Sequence, residues 1–442
     1  MLVVGSTTSG CNRTAPIIHD TRIQIESHHR EVQIVSSAQS IASLGECLPV
    51  DLPFTVTSDF RIEIVEKAHD FAAMRDEWNE LLSSSRSDCL LLTWEWLHTW
   101  WTHFGHGKRL FIVTVPSGRQ LVAIAPLTVT RAWAGVLAIP LLEFAGTGTI
   151  GSDYLDFIVS PACETAALTA LTAFLADIGL SIRLPRVKEG SLVATTLSRG
   201  LADRGWESLE IPMDVCPIID VSVGSWESYL MDLGPRHRYN FRRRLRNLHR
   251  DHAVRFESVD CEGARQQALK HLVSLHLLRW RARGGSNAFD DPRLLAFHDE
   301  LSRLALDRGW LRLFVLRLDG AAAAAFYGFR YGRTFHFYQS GFDPAFRRYS
   351  VGLVMMGLTI QKAIEEGAGE YDLLHGREAY KFLWATRVCP LVRLELYPPG
   401  RIGRIHRNSE RAVTAAKKFA KRVLLRALGP ATAATLELMS QD

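Results

Sequence analysis

The spacing of hydrophobic and polar residues divides the chain into an irregular start and two longer stretches that mix helices with strands. Residues 1–58 hold short β-branched runs among Ser, Thr and His, without a sustained helical period, so we expect a poorly ordered leader. Regular alternation begins near Phe60 and predicts a strand there. Thr93 is a good N-cap for a helix that carries Trp94 and Trp101 on one face.

The first half continues as an alternation of short strands and helices. Helices are predicted at 70–82, 161–178 and 191–204. Strands are predicted at 110–115, 120–127, 139–144, 154–159, 181–184, 206–211 and 216–221.

The second half has a clearer order of elements. Helices are predicted at 226–233, 236–250, 262–283, 292–308, 350–366 and 378–385, and strands at 311–318, 321–329, 334–340 and 370–374. Asp319-Gly320 is a two-residue hairpin turn. Because the first half shows a similar mixed order, we predict an α+β fold of two tandem units. These are an N-terminal half, 59–222, and a C-terminal half, 223–396, followed by a basic tail, 397–442.

Composition excludes several classes of protein. The 442 residues are 47% hydrophobic and 22% charged, which is typical of a soluble globular protein, and the net charge of +5 does not by itself predict nucleic-acid binding. There is no apolar run long enough for a transmembrane helix and no signal peptide pattern. The seven cysteines form no Cys-x-x-Cys pair, so we expect a reducing cytoplasm and no metal site.

The junction before the predicted helix at 350–366 is one place for chemistry. Arg347 and Arg348 precede Ser350, and Gly352 lies in the first turn of the helix. A helix N-terminus presents free N–H groups and a partial positive charge, so this junction can bind a pyrophosphate. The alternative is a capped helix with two solvated arginines.

A second group of polar residues follows the strand predicted at 370–374. Asp372 lies in that strand, and His375, Glu378, Tyr380 and Lys381 come just after it. Open sheets bind ligands at such strand ends. Glu378 or His375 can act as a base, Tyr380 as an acid for a leaving thiolate, and Lys381 can stabilise an oxyanion or a phosphate. The alternative is a surface Glu378–Lys381 pair with packed aromatics.

Two aspartates and two basic segments complete the candidates. Asp153 and Asp156 follow a glycine-rich loop and either bind an acceptor substrate or cap turns. Seven arginines between Pro235 and His252 form a solvated helix, a clamp for phosphates or a membrane contact. The tail at 401–426 interleaves basic and apolar residues, which suits an anionic membrane surface better than nucleic acid.

The motifs together resemble a known family. The segments Gly341-Phe342-Asp343-Pro344, Gly376-Arg377-Glu378-Ala379-Tyr380-Lys381 and Ser152-Asp153-Tyr154-Leu155-Asp156 are similar to those of GNAT-superfamily acyltransferases, in the branch called cellulose-biosynthesis protein D-like. The resemblance covers about residues 60 to 395. It implies two tandem GNAT-like halves, as in the Fem aminoacyl transferases of peptidoglycan synthesis.

The resemblance also implies a function. Acetyl-CoA or another acyl-CoA is expected at Arg347, Arg348, Ser350, Gly352 and Tyr338. Asp343 and Asp372, with the two N-terminal aspartates, are expected to bind an acceptor. The expected activity is N- or O-acylation of a sugar, a polysaccharide or a cell-envelope precursor, in the cytoplasm or at the inner membrane face.

Two alternatives to this activity stay open. In the GNAT fingerprint, Arg348 would be followed by glycine one position before Gly352 and by a second glycine, which this chain lacks. That departure favours a non-catalytic accessory protein of a polysaccharide synthase, as does His375, which stands where members of the branch often carry Arg. The second alternative is a Fem-like aminoacyl transferase, which the arginine-rich helix would suit.

Overall fold

Thirteen strands of the described residues form one mixed β-sheet. The computed structural model describes residues 60–134, 137–222, 224–281, 289 and 291–439, and the leader predicted at 1–58 lies outside them. The strands are β1 (Glu63–Val65), β2 (Arg109–Ser117), β3 (Gln120–Ala134), β4 (Leu137–Phe144), β5 (Ile158–Val159), β6 (Ser181–Lys188), β7 (Glu207–Asp220), β8 (Val254–Ser258), β9 (Leu311–Leu318), β10 (Ala321–Tyr331), β11 (Thr334–Phe342), β12 (Glu370–Asp372) and β13 (Arg387–Tyr397).

Helices cover the two faces of the sheet and connect its strands. They are α1 (Ala68–Ala73), α2 (Arg75–Ser84), α3 (Trp94–Phe104), α4 (Glu164–Ile178), α5 (Ser198–Ala202), α6 (Trp226–Asp232), α7 (Pro235–Asp251), α8 (Glu262–Arg281), α9 (Pro292–Asp307), α10 (Val351–Glu365) and α11 (Arg401–Met439). Where the structure describes the chain, no helix is both long and apolar enough to cross a membrane.

The strand order makes the sheet nearly symmetrical about its centre. It runs β1-β2-β3-β4-β6-β13-β7-β12-β11-β10-β9-β8, with β5 paired to β3. The two halves therefore exchange their last strands: β13 lies between β6 and β7, and β7 lies between β13 and β12. All the described residues belong to one compact unit.

Aromatic packing joins the two halves on one side of the sheet. Trp96 on α3 is fully buried and makes edge-to-face contacts with Phe297, Phe329 and Tyr338 of the C-terminal half. Buried aromatics of this kind contribute large apolar areas to a core. The buried carboxylate of Glu95 adds an ion pair of 2.7 Å to Arg308, so the halves meet through both apolar and charged contacts.

Most predicted elements are confirmed, and several are wrong. Residues 154–157 are not a strand, because Tyr154 has a left-handed backbone and only Ile158–Val159 pairs with β3. The helix predicted at 378–385 is only a 3-10 turn, Lys381–Leu383. The strands predicted at 206–211 and 216–221 are one strand, β7. Strands β8 and β13 were not predicted.

Candidate functional site

A gap opens in the C-terminal half where two parallel strands diverge. The strands β11 and β12 pair only from Thr334 to His336 on the β11 side. Beyond that point β11 stays paired with β10 as far as Phe342. The chain after β12 instead follows β7, since the Leu373 N–H donates to the carbonyl of Pro217. Within the part of the chain that the structure describes, the edge of β11 that faces β12 therefore has no strand partner after His336.

The helix α10 begins beside this gap and presents positive charge there. Its N-cap residue, Ser350, has a left-handed backbone with φ of 54° and makes no side-chain cap, so the predicted serine cap is wrong. Arg347 and Arg348 are exposed in the turn before it, and the guanidinium of Arg348 contacts the hydroxyl of Tyr349. From α7, Arg244 donates to the carbonyl of Arg348. Three arginines thus lie near a helix N-terminus, and among the described residues no side chain accepts from its first N–H groups.

Asp153 and His375 meet at the centre of the sheet, from opposite halves. The fully buried Asp153 Oδ2 accepts from the backbone N–H of His375 at 3.0 Å and lies 2.8 Å from its Nδ1. Both contacts are satisfied when Nδ1 carries a proton, which leaves Nε2 as the basic nitrogen. The imidazole is partly exposed, so a substrate can reach it.

Backbone strain is concentrated around this pair. Of the described non-glycine residues, five have a positive φ. Tyr154 directly follows Asp153, Leu374 directly precedes His375, and Arg186 lies beside the Asp153 carboxylate at 3.8 Å. A fourth, Ser350, begins α10, and only Asp319 lies elsewhere, in a hairpin turn. Strained backbone costs about 1–3 kcal/mol per residue and clusters at functional sites.

The residues after His375 form a tight network. The buried Lys381 Nζ donates to the carbonyl of His375 at 2.6 Å and lies 3.1 Å from Glu378 Oε2. Its ammonium is therefore engaged in holding this segment. Burial beside Glu378 raises the pKa of the Tyr380 hydroxyl, so that the hydroxyl stays protonated at neutral pH. Arg279 on α8 lies next to the same hydroxyl.

A second buried group lies behind the Asp153–His375 pair. Asp372 is buried in β12, and this burial raises its pKa to about 7. Its carboxylate accepts from the Leu374 N–H at 2.8 Å, which supports the strained residue before His375. The Tyr154 hydroxyl is buried near Asp372 and Cys216 without a hydrogen bond of standard geometry.

Three other predicted site residues hold the backbone in place. Asp156 accepts from the N–H groups of Phe157, Leu192 and Val193, which matches the turn-capping alternative. Asp343 accepts from the Ala345 N–H at 2.8 Å and begins the turn that leads to α10. Tyr338 donates to the carbonyl of Ile150 at 2.6 Å and so ties β11 to the glycine-rich loop.

The N-terminal half has an equivalent gap, but its own chain fills it. There β4 and β6 pair only at Leu141 and Leu142 on the β4 side, and Tyr154 then donates its N–H to Arg186 of β6. The helix that follows, α4, has Glu164 in its first turn, which would repel an anion. Only the C-terminal gap therefore combines an open strand edge with a basic helix N-terminus.

Two site residues, Arg186 and Arg244, were not singled out by the sequence predictions. Arg186 reaches the pair because a bulge in β6 turns its side chain, and Pro185 directly before it is the sequence signal that could have marked the bulge. Arg244 belongs to the arginine-rich segment for which a phosphate clamp was one predicted role, but no residue type distinguishes it from the six other arginines there.

Comparisons with known proteins support a GNAT-type fold. Residues 235–382 match the acetyltransferase (GNAT) domain family. The crystal structure of FemX is similar over 73% of this chain and 95% of that chain, with 14% identity and a TM-score of 0.54. A conserved protein of unknown function from Bacteroides thetaiotaomicron is similar over 76% of this chain and 100% of that chain, with 14% identity and a TM-score of 0.50. A search of curated proteins found no match.

Proposed function

We propose that this GNAT-like acyltransferase moves an acyl group from acyl-CoA to an amine or hydroxyl. Its residues 235–382 match the acetyltransferase (GNAT) domain family. The observation that carries the proposal is the contact between Asp153 and His375 at the mouth of the gap. In this contact a carboxylate of the N-terminal half orients the imidazole of His375, which lies within the residues that match the family.

The donor would occupy the gap of the C-terminal half. Its pyrophosphate would bind the free N–H groups at the start of α10, with Arg347, Arg348 and Arg244 close by. Gly352 leaves the first turn of this helix open, because a methyl group placed there would touch only the Phe342 ring, at 3.3 Å. The edge of β11 that lacks a strand partner would bind the pantetheine arm, in place of the Gln339 side chain that accepts from the Ser340 N–H.

The imidazole of His375 would act as the base. Its Nε2 accepts a proton from the acceptor amine or hydroxyl while Asp153 holds Nδ1–H in place. The acceptor attacks the thioester carbonyl, and the carbon–sulfur bond then breaks. The Tyr380 hydroxyl, which stays protonated at neutral pH, would donate a proton to the leaving thiolate. Glu378, by contrast, is paired with Lys381 and supports the segment.

The acceptor would be a sugar, a polysaccharide or a cell-envelope precursor. The motifs that resemble the cellulose-biosynthesis branch support this class, together with the position of the pair between the halves. The glycine-rich loop leading to Gly151 lies against His375 and would form one wall of the acceptor site.

We also propose that α11 rests on an anionic membrane surface. Its first turns pack on the protein, where His406 is buried against Tyr397. Beyond them, Val413, Phe419 and Val423 are exposed on the same helix as exposed Lys418 and Arg422. Exposed apolar side chains interleaved with basic ones favour the interface of anionic lipids.

Calorimetry and a thiol assay test the proposed reaction. We expect acetyl-CoA or a longer acyl-CoA to bind, and free CoA thiol to be released when an amino sugar is added. If acyl-CoA binds without turnover of any acceptor, the accessory role is favoured. Absence of binding at millimolar acyl-CoA would reject the donor site.

A further inference from the structure

The side chain of Arg186 points at the catalytic pair because its strand bulges. Arg186 has φ of 55°, and the register between β6 and β13 shifts at this point. A bulge turns a side chain away from the direction it would have in a regular strand. A methyl group placed on Gly151 would lie 3.6 Å from Arg186 Nη1 and 3.7 Å from His375 Nε2. The guanidinium of Arg186 and the Nε2 atom of His375 therefore border the same small space.

This guanidinium keeps unused donors. Its nearest carboxylate oxygen is Asp153 Oδ1, at 3.8 Å from Nε, and that oxygen accepts no hydrogen bond. Among the described residues, the Arg186 side chain makes no hydrogen bond, and it is 25% exposed. Arg183, three positions earlier on the same strand, is instead paired with Glu410 at 2.5 Å. Arg186 is thus a positive charge with free N–H groups beside the proposed base.

We propose that Arg186 binds an oxyanion of the acceptor, a carboxylate or a phosphate, and so selects acidic acceptors. The inference rests on the proposed function and names its substrate class. A planar guanidinium offers parallel N–H groups that match either oxyanion. Binding the oxyanion there places the neighbouring amine or hydroxyl of the same molecule next to His375 Nε2.

A purely structural role for Arg186 makes a different prediction. If the residue only balances the buried charge of Asp153, its replacement changes the affinity for neutral and acidic acceptors by the same factor. If it binds the acceptor, its replacement removes the preference between them. The ratio of affinities therefore separates the two roles, whatever happens to stability.

The test compares three hexosamines that share an amine and differ in charge. Calorimetry measures glucosamine, glucosamine 6-phosphate and muramic acid against the full chain saturated with CoA, which fills the site at α10. We expect the phosphate or the carboxylate sugar to bind at least about tenfold more tightly than glucosamine. The better of the two identifies the oxyanion. Arg186→Met should abolish this preference, Arg186→Lys should keep part of it, and Arg183→Met should keep all of it.

Three outcomes would overturn the inference: equal affinity for all three sugars, an unchanged preference in Arg186→Met, or no binding by any of them. Failure of CoA itself to bind is a different result. It would reject the proposed donor, and the preference for acidic sugars would then be measured on the protein without CoA.

Discussion

Asp153 holds the imidazole of His375 from a position 222 residues earlier in the chain. One carboxylate oxygen contacts both the backbone N–H and Nδ1 of the histidine, and the carboxylate itself is fully buried. A buried, doubly engaged carboxylate fixes both the tautomer and the orientation of an imidazole. The site therefore depends on both halves of the molecule, although only residues 235–382 match the acetyltransferase family.

Replacing His375 by Gln should lower turnover about 10²–10⁴-fold, since a positioned base typically contributes that much. Donor affinity should change little, because the base acts mainly in the transition state. The measurement is CoA thiol release, with the donor dissociation constant from calorimetry. Asp153→Asn should have a similar effect through loss of orientation. His69→Gln, at an exposed site, is the control, and equal turnover in all three variants would contradict the assignment.

Substitutions in the network after His375 should affect stability and turnover separately. Lys381→Met removes the donor to the His375 carbonyl and should cost about 1–3 kcal/mol of unfolding free energy. Tyr380→Phe removes only a hydroxyl and should lower turnover while the protein unfolds at nearly the same urea concentration. Glu378→Gln should affect both properties weakly. A Glu378→Gln variant that loses more turnover than His375→Gln would exchange the roles of these two residues.

Gly352→Asp should weaken acyl-CoA binding at least about tenfold, because it adds a negative charge to the first turn of α10. Gly352→Ala is the matched control. Its methyl group would meet only the side chain of Phe342, at 3.3 Å, and the ring can move by a few tenths of an ångström. Calorimetry should show near-native affinity for the alanine variant. Equal affinity in both variants would move the donor away from α10.

Asp372 should make stability depend on pH. Its pKa rises from 3.8 to about 7 on burial, so between these values the folded protein holds a proton that the unfolded chain has released. Native stability therefore falls as pH rises through this window. Asp372→Asn cannot ionise, so its stability relative to the native protein should rise by on the order of a few kcal/mol from pH 4 to 8. Urea unfolding of both proteins checks this, and a constant difference would contradict it.

Deleting residues 413–442 should abolish binding to anionic vesicles without affecting acyl-CoA binding. The cut spares Arg407 and Arg411, which are paired with Glu207 on β7. Co-sedimentation at low and high salt is the measurement, since salt screens this attraction. The charge-reversed pair Lys418→Glu and Arg422→Glu tests the electrostatic part alone. Equal co-sedimentation of all forms with anionic vesicles would contradict the membrane role.

Local signals in the sequence predicted much of the fold. Thr93 accepts from the Trp96 N–H at the start of α3, and Asp291 accepts from the Arg293 N–H at the start of α9, as their residue types indicated. The Asp319-Gly320 turn joins β9 to β10 as predicted. Caps and tight turns depend on neighbouring residues, and sequence patterns record such interactions well.

Long-range pairing accounts for what the sequence did not reveal. Strand β13 owes its place to partners in both β6 and β7, which lie far earlier in the chain. The segment at 378–385 has a helical pattern, yet Lys381 is bound to the carbonyl of His375 and only a short turn forms. The structure places the candidate residues at 372–381 together, whereas Asp153, predicted to bind an acceptor, contacts His375 instead.

The exchanged strands at the centre of the sheet set an order of events for a newly made chain. The first half emerges from the ribosome with the edge of β6 uncovered, because its neighbour β13 ends only at Tyr397. Pairings this distant form slowly, and an open strand edge invites association with other chains in the meantime. His375, too, is synthesised long after the carboxylate that orients it. Synthesis that stops before β13 would thus yield an inactive, aggregation-prone fragment rather than a smaller active enzyme.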